Sequence, residues 1–139
     1  MSWFSASVRS AFSFLGDEGF TYKGEDDNLP LSSEVTFRRG RVSVTVIWDG
    51  RDRFVFTRLG LTPGYLPFRA RGVGLGLLDS AGESALGLPL YETDPEPITS
   101  ALTSQAALLR TKGASLLAGD SDAWADALRR QNQYWDTSR

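Results

Sequence analysis

The sequence of 139 residues predicts an α+β fold formed by a single domain, residues 1–139. Three observations support this prediction: apolar residues recur at helical spacing near the N-terminus, polar and apolar residues alternate in the middle, and helical spacing returns in the C-terminal third. The chain shows no repeating strand–helix–strand order, which distinguishes it from the α/β class. Its length is typical of one domain, and its hydrophobic fraction of 41% is sufficient to form a core.

An N-terminal helix is predicted from apolar residues three or four positions apart, namely Phe4, Val8, Ala11, Phe12 and Leu15. Gly16 is the predicted end of this helix. The turn-forming residues that follow predict a short strand at Phe20–Lys23 and then an exposed acidic loop at Glu25–Asn28. The N-terminal segment has no basic leader and Arg9 interrupts its apolar part, so we do not interpret it as a signal peptide.

Alternating residues after this loop predict an antiparallel β-meander. In the first hairpin we expect a two-residue turn at Arg39–Gly40. This turn pairs Phe37 with Val42, and the next pair on the same side is Val35 with Val44. Both pairs then lie on one face of the sheet, as burial requires.

The second turn of the meander, at Asp49–Asp52, decides which face the third strand buries. A loop with an odd number of residues places the two phenylalanines that follow beside Val44 and Val46. An even number places them on the opposite face. We favour the odd loop, because its Asp-Gly pair supplies suitable turn geometry, and we therefore expect Phe54 and Phe56 in the core.

Residues 60–97 form a segment rich in glycine and proline in which no regular pattern persists. We expect irregular structure there, with short strands near Tyr65–Ala70 and Gly76–Leu78. Three glycines at alternate positions between residues 71 and 79 lack the lysine and the helix start of a phosphate-binding loop. We therefore interpret them as a flexible or close-packed loop.

A C-terminal helical pair is predicted to pack on one face of the sheet. Asp94 and Pro95 are typical of an N-cap and a first helical residue. A buried stripe follows at helical spacing, formed by Ile98, Leu102, Ala106 and Leu109. Gly119 ends this region and Asp120 caps the last helix. The nearby carboxylates of Asp122 and Asp126 fit the helix dipole better than a divalent-ion site, so no metal is predicted.

The chain contains no histidine and no cysteine. Their absence excludes disulfides, cysteine nucleophiles and acid–base chemistry that depends on histidine. We predict no catalytic residue and no cofactor. The longest apolar runs are far shorter than the roughly 18 residues that span a bilayer, so no membrane segment is predicted and the cytoplasm is the expected compartment.

Charge is unevenly distributed along the chain: residues 1–33 sum to −3, residues 34–71 to +5 and residues 72–139 to −4. We predict that the acidic side chains near the N-terminus form a docking surface for a basic partner, unless they only form a solvated loop. These residues are Asp17, Glu18, Glu25, Asp26 and Asp27. Tyr134 and Trp135, near the C-terminus, are additional interface candidates.

The arginines of the meander do not predict a nucleic-acid surface. Arg38, Arg39 and Arg41 belong to one hairpin turn and Arg51 and Arg53 to the next, and successive turns of a meander lie at opposite ends of the strands. The aromatic residues that a nucleic-acid surface would expose are expected in the core.

The chain resembles small bacterial immunity-type proteins, which are encoded beside polymorphic or contact-dependent toxins. The resemblance rests on a helix that ends in "FSFLGDEGF", the meander "VTFRRGRVSVTVIWDGRDRFVFTRLG" and the helical tail "LLRTKGASLLAGDSDAW". It implies a cytoplasmic protein that neutralises a cognate toxin by stoichiometric binding and occlusion. It implies no catalytic residue, because immunity proteins act by covering their target.

Three functional hypotheses remain open from the sequence. The first is the toxin-neutralising binding protein, in which an acidic surface covers the toxin. The second is a small-molecule, lipid-binding or chaperone-like module whose apolar pocket is lined by Trp48, Phe54 and Phe56. The third is an enzyme that uses carboxylate, arginine or tyrosine chemistry. The sequence does not predict an oligomeric state.

Overall fold

A computed structural model describes residues 2–29, 31–62, 71–77 and 87–137, with the backbone alone at residues 71, 77 and 132–137. It confirms the α+β class: an N-terminal helix, an antiparallel sheet and C-terminal helices packed against it. The elements in chain order are α1 (Trp3–Ala11), α2 (Phe14–Asp17), β1 (Thr21–Asn28), β2 (Ser32–Arg39), β3 (Val42–Asp49), β4 (Phe54–Leu61), β5 (Arg71–Gly74), a 3₁₀ turn (Leu75–Leu77), α3 (Glu96–Lys112), α4 (Ala114–Leu117) and α5 (Ser121–Thr137).

The sheet has five strands in the described part of the chain, in the order β1-β2-β3-β4-β5, and each pair is antiparallel. The predicted meander of three strands is therefore extended by one strand at each edge. One of the added strands, β1, includes the residues expected to form an acidic loop, so the prediction of a loop at Glu25–Asn28 is wrong. Its charged residues are tolerated there because an edge strand pairs on one side and leaves its side chains largely in water.

The first hairpin differs from the prediction in its turn but not in its buried face. The two turn residues are Gly40 and Arg41, because Arg39 still pairs with Val42. As a result Phe37 pairs with Val44, and Val35 pairs with Val46, two positions away from the expected partner. A shift by two residues preserves the side-chain alternation, so the predicted apolar face is confirmed.

The second hairpin contradicts the prediction. Its loop contains four residues, 50–53, because Phe54 pairs with Asp49. This even number places Phe54 and Phe56 on the face opposite the core and turns Val55, Thr57 and Leu59 inward, where they are at most 1% exposed. The hydroxyl of Thr57 is accommodated inside because it donates a hydrogen bond of 2.7 Å to Oε1 of Gln105 on α3.

The N-terminal helix is interrupted, and α2 follows α1 after two turn residues. Gly16 lies inside α2 and does not end it. Gly19 does so instead: its φ of +88° favours glycine, and the N–H of the next residue, Phe20, returns to the carbonyl of Leu15 at 2.9 Å. The helical end is thus three residues later than predicted, at the glycine that can adopt a left-handed conformation.

Only part of the glycine- and proline-rich segment lies within the described residues. The predicted strand at Tyr65–Ala70 lies outside them. The strand predicted near Gly76 is wrong, since the described residues there form the 3₁₀ turn, and β5 precedes it. β5 contains Gly72 and Gly74 and pairs with β4, so the interpretation of these two glycines as part of a loop is wrong.

The helices cover one face of the sheet. Trp3 of α1 makes an edge contact with Trp48 of β3 at 5.8 Å between ring centroids, and Gln105 of α3 bonds to Thr57 of β4. The predicted stripe on α3 is buried, and Trp124 of α5 donates from its indole N–H to the carbonyl of Leu116 at 2.8 Å. No helix in the described part of the chain combines the length and the apolar character needed to cross a bilayer.

Of the two predicted N-caps, that of α5 is found, whereas the N-cap of α3 is Pro95 and not the predicted Asp94. The Asp94 carboxylate accepts the N–H of Glu96 at 3.1 Å, and α3 itself begins at Glu96, one residue after the predicted start. The Asp120 carboxylate accepts the N–H of Ala123 at 2.9 Å, as expected for the N-cap of α5. These bonds satisfy backbone donors that have no partner within the helix.

Candidate functional site

The face of the sheet opposite the helices is the first candidate site, and we call it the open face. Alternation along each strand and the observed register assign its residues. They are Asp26, Glu34, Thr36, Arg38, Ser43, Thr45, Ile47, Phe54, Phe56 and Arg58. Small polar side chains occupy its centre, where the hydroxyls of Thr36 and Thr45 lie 3.4 Å apart.

One row across the open face combines two carboxylates with two apolar side chains. Asp26 pairs with Glu34, Glu34 pairs with Ile47, and Ile47 pairs with Phe56, in four successive strands. Directly opposed residues have Cβ atoms about 4.5–5.5 Å apart, and like charges at that separation destabilise a sheet. In the described part of the chain no cation lies within salt-bridge distance of either carboxylate, so the repulsion is not offset there.

The two phenylalanines of β4 form an aromatic pair at one end of the open face. The rings of Phe54 and Phe56 stack at 5.4 Å between centroids, with an angle of 28° between their planes, and both are half-buried. Trp48, by contrast, is 1% exposed and faces the helices. The predicted lining of an apolar pocket by Trp48, Phe54 and Phe56 is therefore wrong, because the sheet itself separates these side chains.

The predicted acidic surface is divided by the fold. Asp17 and Glu18 are exposed at the end of α2, before β1 begins. Within β1, Asp26 lies on the open face, whereas its two neighbours point to the other side. Glu25 is half-buried there and accepts a hydrogen bond of 2.9 Å from the Ser2 hydroxyl, and the Asp27 carboxylate accepts the N–H of Leu29 at 3.2 Å.

Tyr134 and Trp135 lie in α5, in the part for which the backbone alone is described. Their contact with a partner stays a prediction. Glu34 was not predicted as a site residue, and neither was the apolar part of the open face. The signal that could have indicated the latter is Ile47, an apolar residue at a polar position of β3, which implies that the second face of the sheet is also apolar at this point.

The arginines separate into two groups, as the sequence predicts. The β2–β3 turn and the β3–β4 turn lie at opposite ends of β3. The expectation that Phe54 and Phe56 are in the core was wrong, so two aromatic residues do accompany Arg58 on the open face. The carboxylates of Asp26 and Glu34 lie on the same face, and they disfavour a polyanion there.

A second candidate site is a polar cleft of about 310 Å³ beside the β2–β3 turn, which we call the basic cleft. Its lining comprises Gly19, Thr21, Lys23, Arg38, Arg39 and Gly40. Arg39 is held in place: its two terminal nitrogens donate to the carbonyls of Glu18 at 2.5 Å and Leu117 at 2.6 Å. Its guanidinium also lies 4.8 Å from the centroid of the Phe20 ring.

The described residues contain no group of three or more carboxylates that could hold a metal ion. Asp120 is engaged as a helix cap, and Asp126 forms ion pairs with Arg129 and Arg130 on the same helix. Neither observation assigns a cofactor. Comparison with known proteins gave no match: no family model, no curated protein and no solved structure matches this chain.

Proposed function

We propose that the protein is a binding protein that neutralises a cognate toxin by stoichiometric complex formation, and that the open face is its contact surface. The observation that carries this proposal is the row formed by Asp26, Glu34, Ile47 and Phe56. The resemblance to immunity-type proteins and the absence of histidine and cysteine support it from the sequence. The cytoplasm is the compartment that this function implies.

The row suits a partner that presents basic and apolar groups together. A lysine or arginine placed between Asp26 and Glu34 would replace a repulsion by two attractive interactions. Phe56 is half-buried and would supply most of the apolar contact that excludes water around them, whereas Ile47, which is 9% exposed, would add little to it. Acidic residues that complement a basic toxin surface would also accelerate association and favour the correct partner.

The edge position of β1 places this row at the border of the sheet, where a partner can approach. β1 pairs with β2 alone among the described strands, so its outer backbone groups face away from the sheet. Asp17 and Glu18 precede β1 and extend negative charge beyond the open face. Of the acidic residues predicted from the sequence, the proposal therefore retains Asp26 as a contact and Asp17 and Glu18 as flanking charges, whereas Glu25 and Asp27 point to the other side of the sheet.

Coexpression tests the function directly. The probe is the C-terminal domain of the large secreted protein that this proposal expects the neighbouring open reading frame to encode. We expect this domain to arrest growth when expressed alone and to be harmless, in a one-to-one complex, when this protein is coexpressed. A toxin that remains equally active in the presence of the protein would overturn the proposed function.

Charge reversal tests the contact surface. Asp26→Lys combined with Glu34→Lys is expected to weaken the complex by about tenfold or more and to reverse its salt dependence, since both carboxylates are lost. Glu92→Lys combined with Asp122→Lys is the matched control, because it makes the same change in net charge at two exposed positions away from the row. Equal affinities for the two double variants would refute the assignment to the open face while leaving neutralisation itself intact.

A further inference from the structure

The lining of the basic cleft includes three cations that form no ion pair in the described part of the chain. They are Lys23, Arg38 and Arg39. In the described part of the chain no carboxylate lies within 4.0 Å of their nitrogens, and the ion pairs that occur there belong to Asp126 on α5. An anion in the cleft would therefore be attracted by positive charge that is not already engaged in an ion pair there.

The donors of the cleft are also positioned in advance. Arg39 uses one N–H of each terminal nitrogen for the Glu18 and Leu117 carbonyls, which leaves other guanidinium donors in a fixed orientation. The Nε of Arg38 donates to the carbonyl of Gly40 at 2.9 Å, so this side chain is held against the turn. A donor that is already ordered loses little conformational entropy when it binds a ligand.

The backbone places the third cation beside them. The register of β1 and β2 shifts between Tyr22 and Gly24, so that Lys23 has no partner in β2 and occupies a bulge. Bulges redirect a side chain relative to the regular alternation of the strand. Thr21, which pairs with Arg38, adds a hydroxyl to the same lining.

We propose that the basic cleft binds a phosphoryl group, either as inorganic phosphate or as a small phosphate monoester. Planar guanidinium groups match the oxygen geometry of a phosphate, and a lysine adds a point charge. The volume of about 310 Å³ lies at the lower end of the range of small-ligand pockets, roughly 300–1,000 Å³. The cleft is therefore suited to a small ligand, and it shares Arg38 with the open face.

Titration of the isotope-labelled full-length protein with inorganic phosphate, phenyl phosphate and acetate tests this proposal at constant ionic strength. We expect saturable shifts of the backbone amide signals of Gly19, Thr21 and Gly40 with either phosphate probe. Affinity for these probes should exceed that for acetate by about tenfold, because a phosphate dianion accepts more charged hydrogen bonds. The phosphate probe that binds more tightly shows whether the cleft prefers inorganic phosphate or a phosphate monoester. Absence of saturable shifts, or equal binding of acetate, would overturn the proposal.

Two double variants distinguish phosphate binding at the basic cleft from non-specific attraction of phosphate by positive charge. Lys23→Gln combined with Arg38→Gln removes two exposed cations of the cleft and leaves Arg39 in place for the fold. Arg51→Gln combined with Arg53→Gln removes the same charge at the opposite end of β3. The first variant should bind phosphate about tenfold more weakly or worse, as expected for the loss of charged hydrogen bonds, and the second should bind it as the wild type does. Equal weakening in both variants would overturn the proposal.

Discussion

At the scale of single residues, one buried hydrogen bond accommodates the polar side chain that β4 turns inward. Thr57 and Gln105 are 1% and 2% exposed, and the Thr57 hydroxyl donates to the Gln105 side chain at 2.7 Å. The amide nitrogen of Gln105 in turn donates to the carbonyl of Val55 at 3.1 Å. Buried polar groups are costly unless they are paired, and each of these groups has a partner.

We expect Thr57→Val to destabilise the protein by about 1–3 kcal/mol, because it leaves the Oε1 atom of Gln105 buried without a donor. The measurement is the free energy of unfolding in urea. Thr103→Val on the exposed side of α3 is the matched control, since its hydroxyl bonds to the carbonyl of Thr99 in water and its loss should change stability by a few tenths of a kcal/mol. Equal stability of the Thr57 variant and the control would contradict this role of the hydrogen bond.

The prediction for β4 relied on its two phenylalanines and was wrong. Two alternating sets are available in this strand: one contains Phe54 and Phe56, and the other contains Val55, Thr57 and Leu59. The aromatic set continues to Arg58, so its burial would also have buried a charged side chain. The one polar member of the buried set, Thr57, is accommodated by a partner 48 positions away in the chain, and local alternation contains no information about that contact.

At the scale of elements, the sequence predicted which residues form helices and central strands better than where turns begin. The apolar stripe of α3 and the cap Asp120 are local signals, and the structure confirms them, whereas the N-cap of α3 is Pro95, one residue after the predicted Asp94. Edge strands lack such signals. β1 has the composition of a turn, with Gly24 at φ +134° and three consecutive acids, and it becomes a strand through its pairing with β2.

The β3–β4 turn contains a residue whose backbone conformation costs free energy. Asp49 accepts the N–H groups of Arg51 at 2.9 Å and Asp52 at 3.0 Å, which folds the chain back within four residues. Arg53 completes the loop at φ +57° and is the one non-glycine residue with positive φ in the described ranges. Residues with a Cβ atom pay about 1–2 kcal/mol to adopt this left-handed conformation.

Replacement of Arg53 by glycine should therefore preserve or raise stability, by up to about 1 kcal/mol, because glycine adopts positive φ without strain. Arg51→Gly is the matched control in the same loop, and it should lower stability since residue 51 has no positive φ to relieve. Thermal unfolding of the two variants gives the comparison. A larger loss for the Arg53 variant than for the Arg51 variant would contradict the role assigned to the turn geometry.

At the scale of the whole molecule, the two faces of the sheet differ in the side chains that they carry. The side that faces the helices is filled by one cluster of buried residues, to which α1, α2, all three central strands and the C-terminal helices contribute. The open face has mixed charge and apolar groups. The sequence predicted Asp26 as a site residue, but its neighbours in the row depend on strand register, so the pairing with Glu34 and the approach to Phe56 could not be foreseen.

The continuity of this core predicts that the sheet and the C-terminal helices unfold together. Trp48 in β3 and Trp124 in α5 are both 1% exposed and belong to the same cluster, so each reports on a different part of it. Variants that retain one of these tryptophans, with the other three replaced by phenylalanine, should each show the same urea midpoint by fluorescence and by far-ultraviolet circular dichroism. A single domain of this size is expected to unfold in one cooperative transition.

The variant that retains Trp124 gives the stricter test of whether the sheet and the C-terminal helices unfold together. The described contacts of α5 with the rest of the core include the indole bond of Trp124 to Leu116 in α4, and Leu117 of α4 accepts a hydrogen bond from Arg39 of the sheet. If these contacts couple α5 to the sheet, the fluorescence of Trp124 changes together with the loss of the strands. A fluorescence midpoint at lower urea than the circular dichroism midpoint would instead show that the C-terminal helix unfolds before the sheet does.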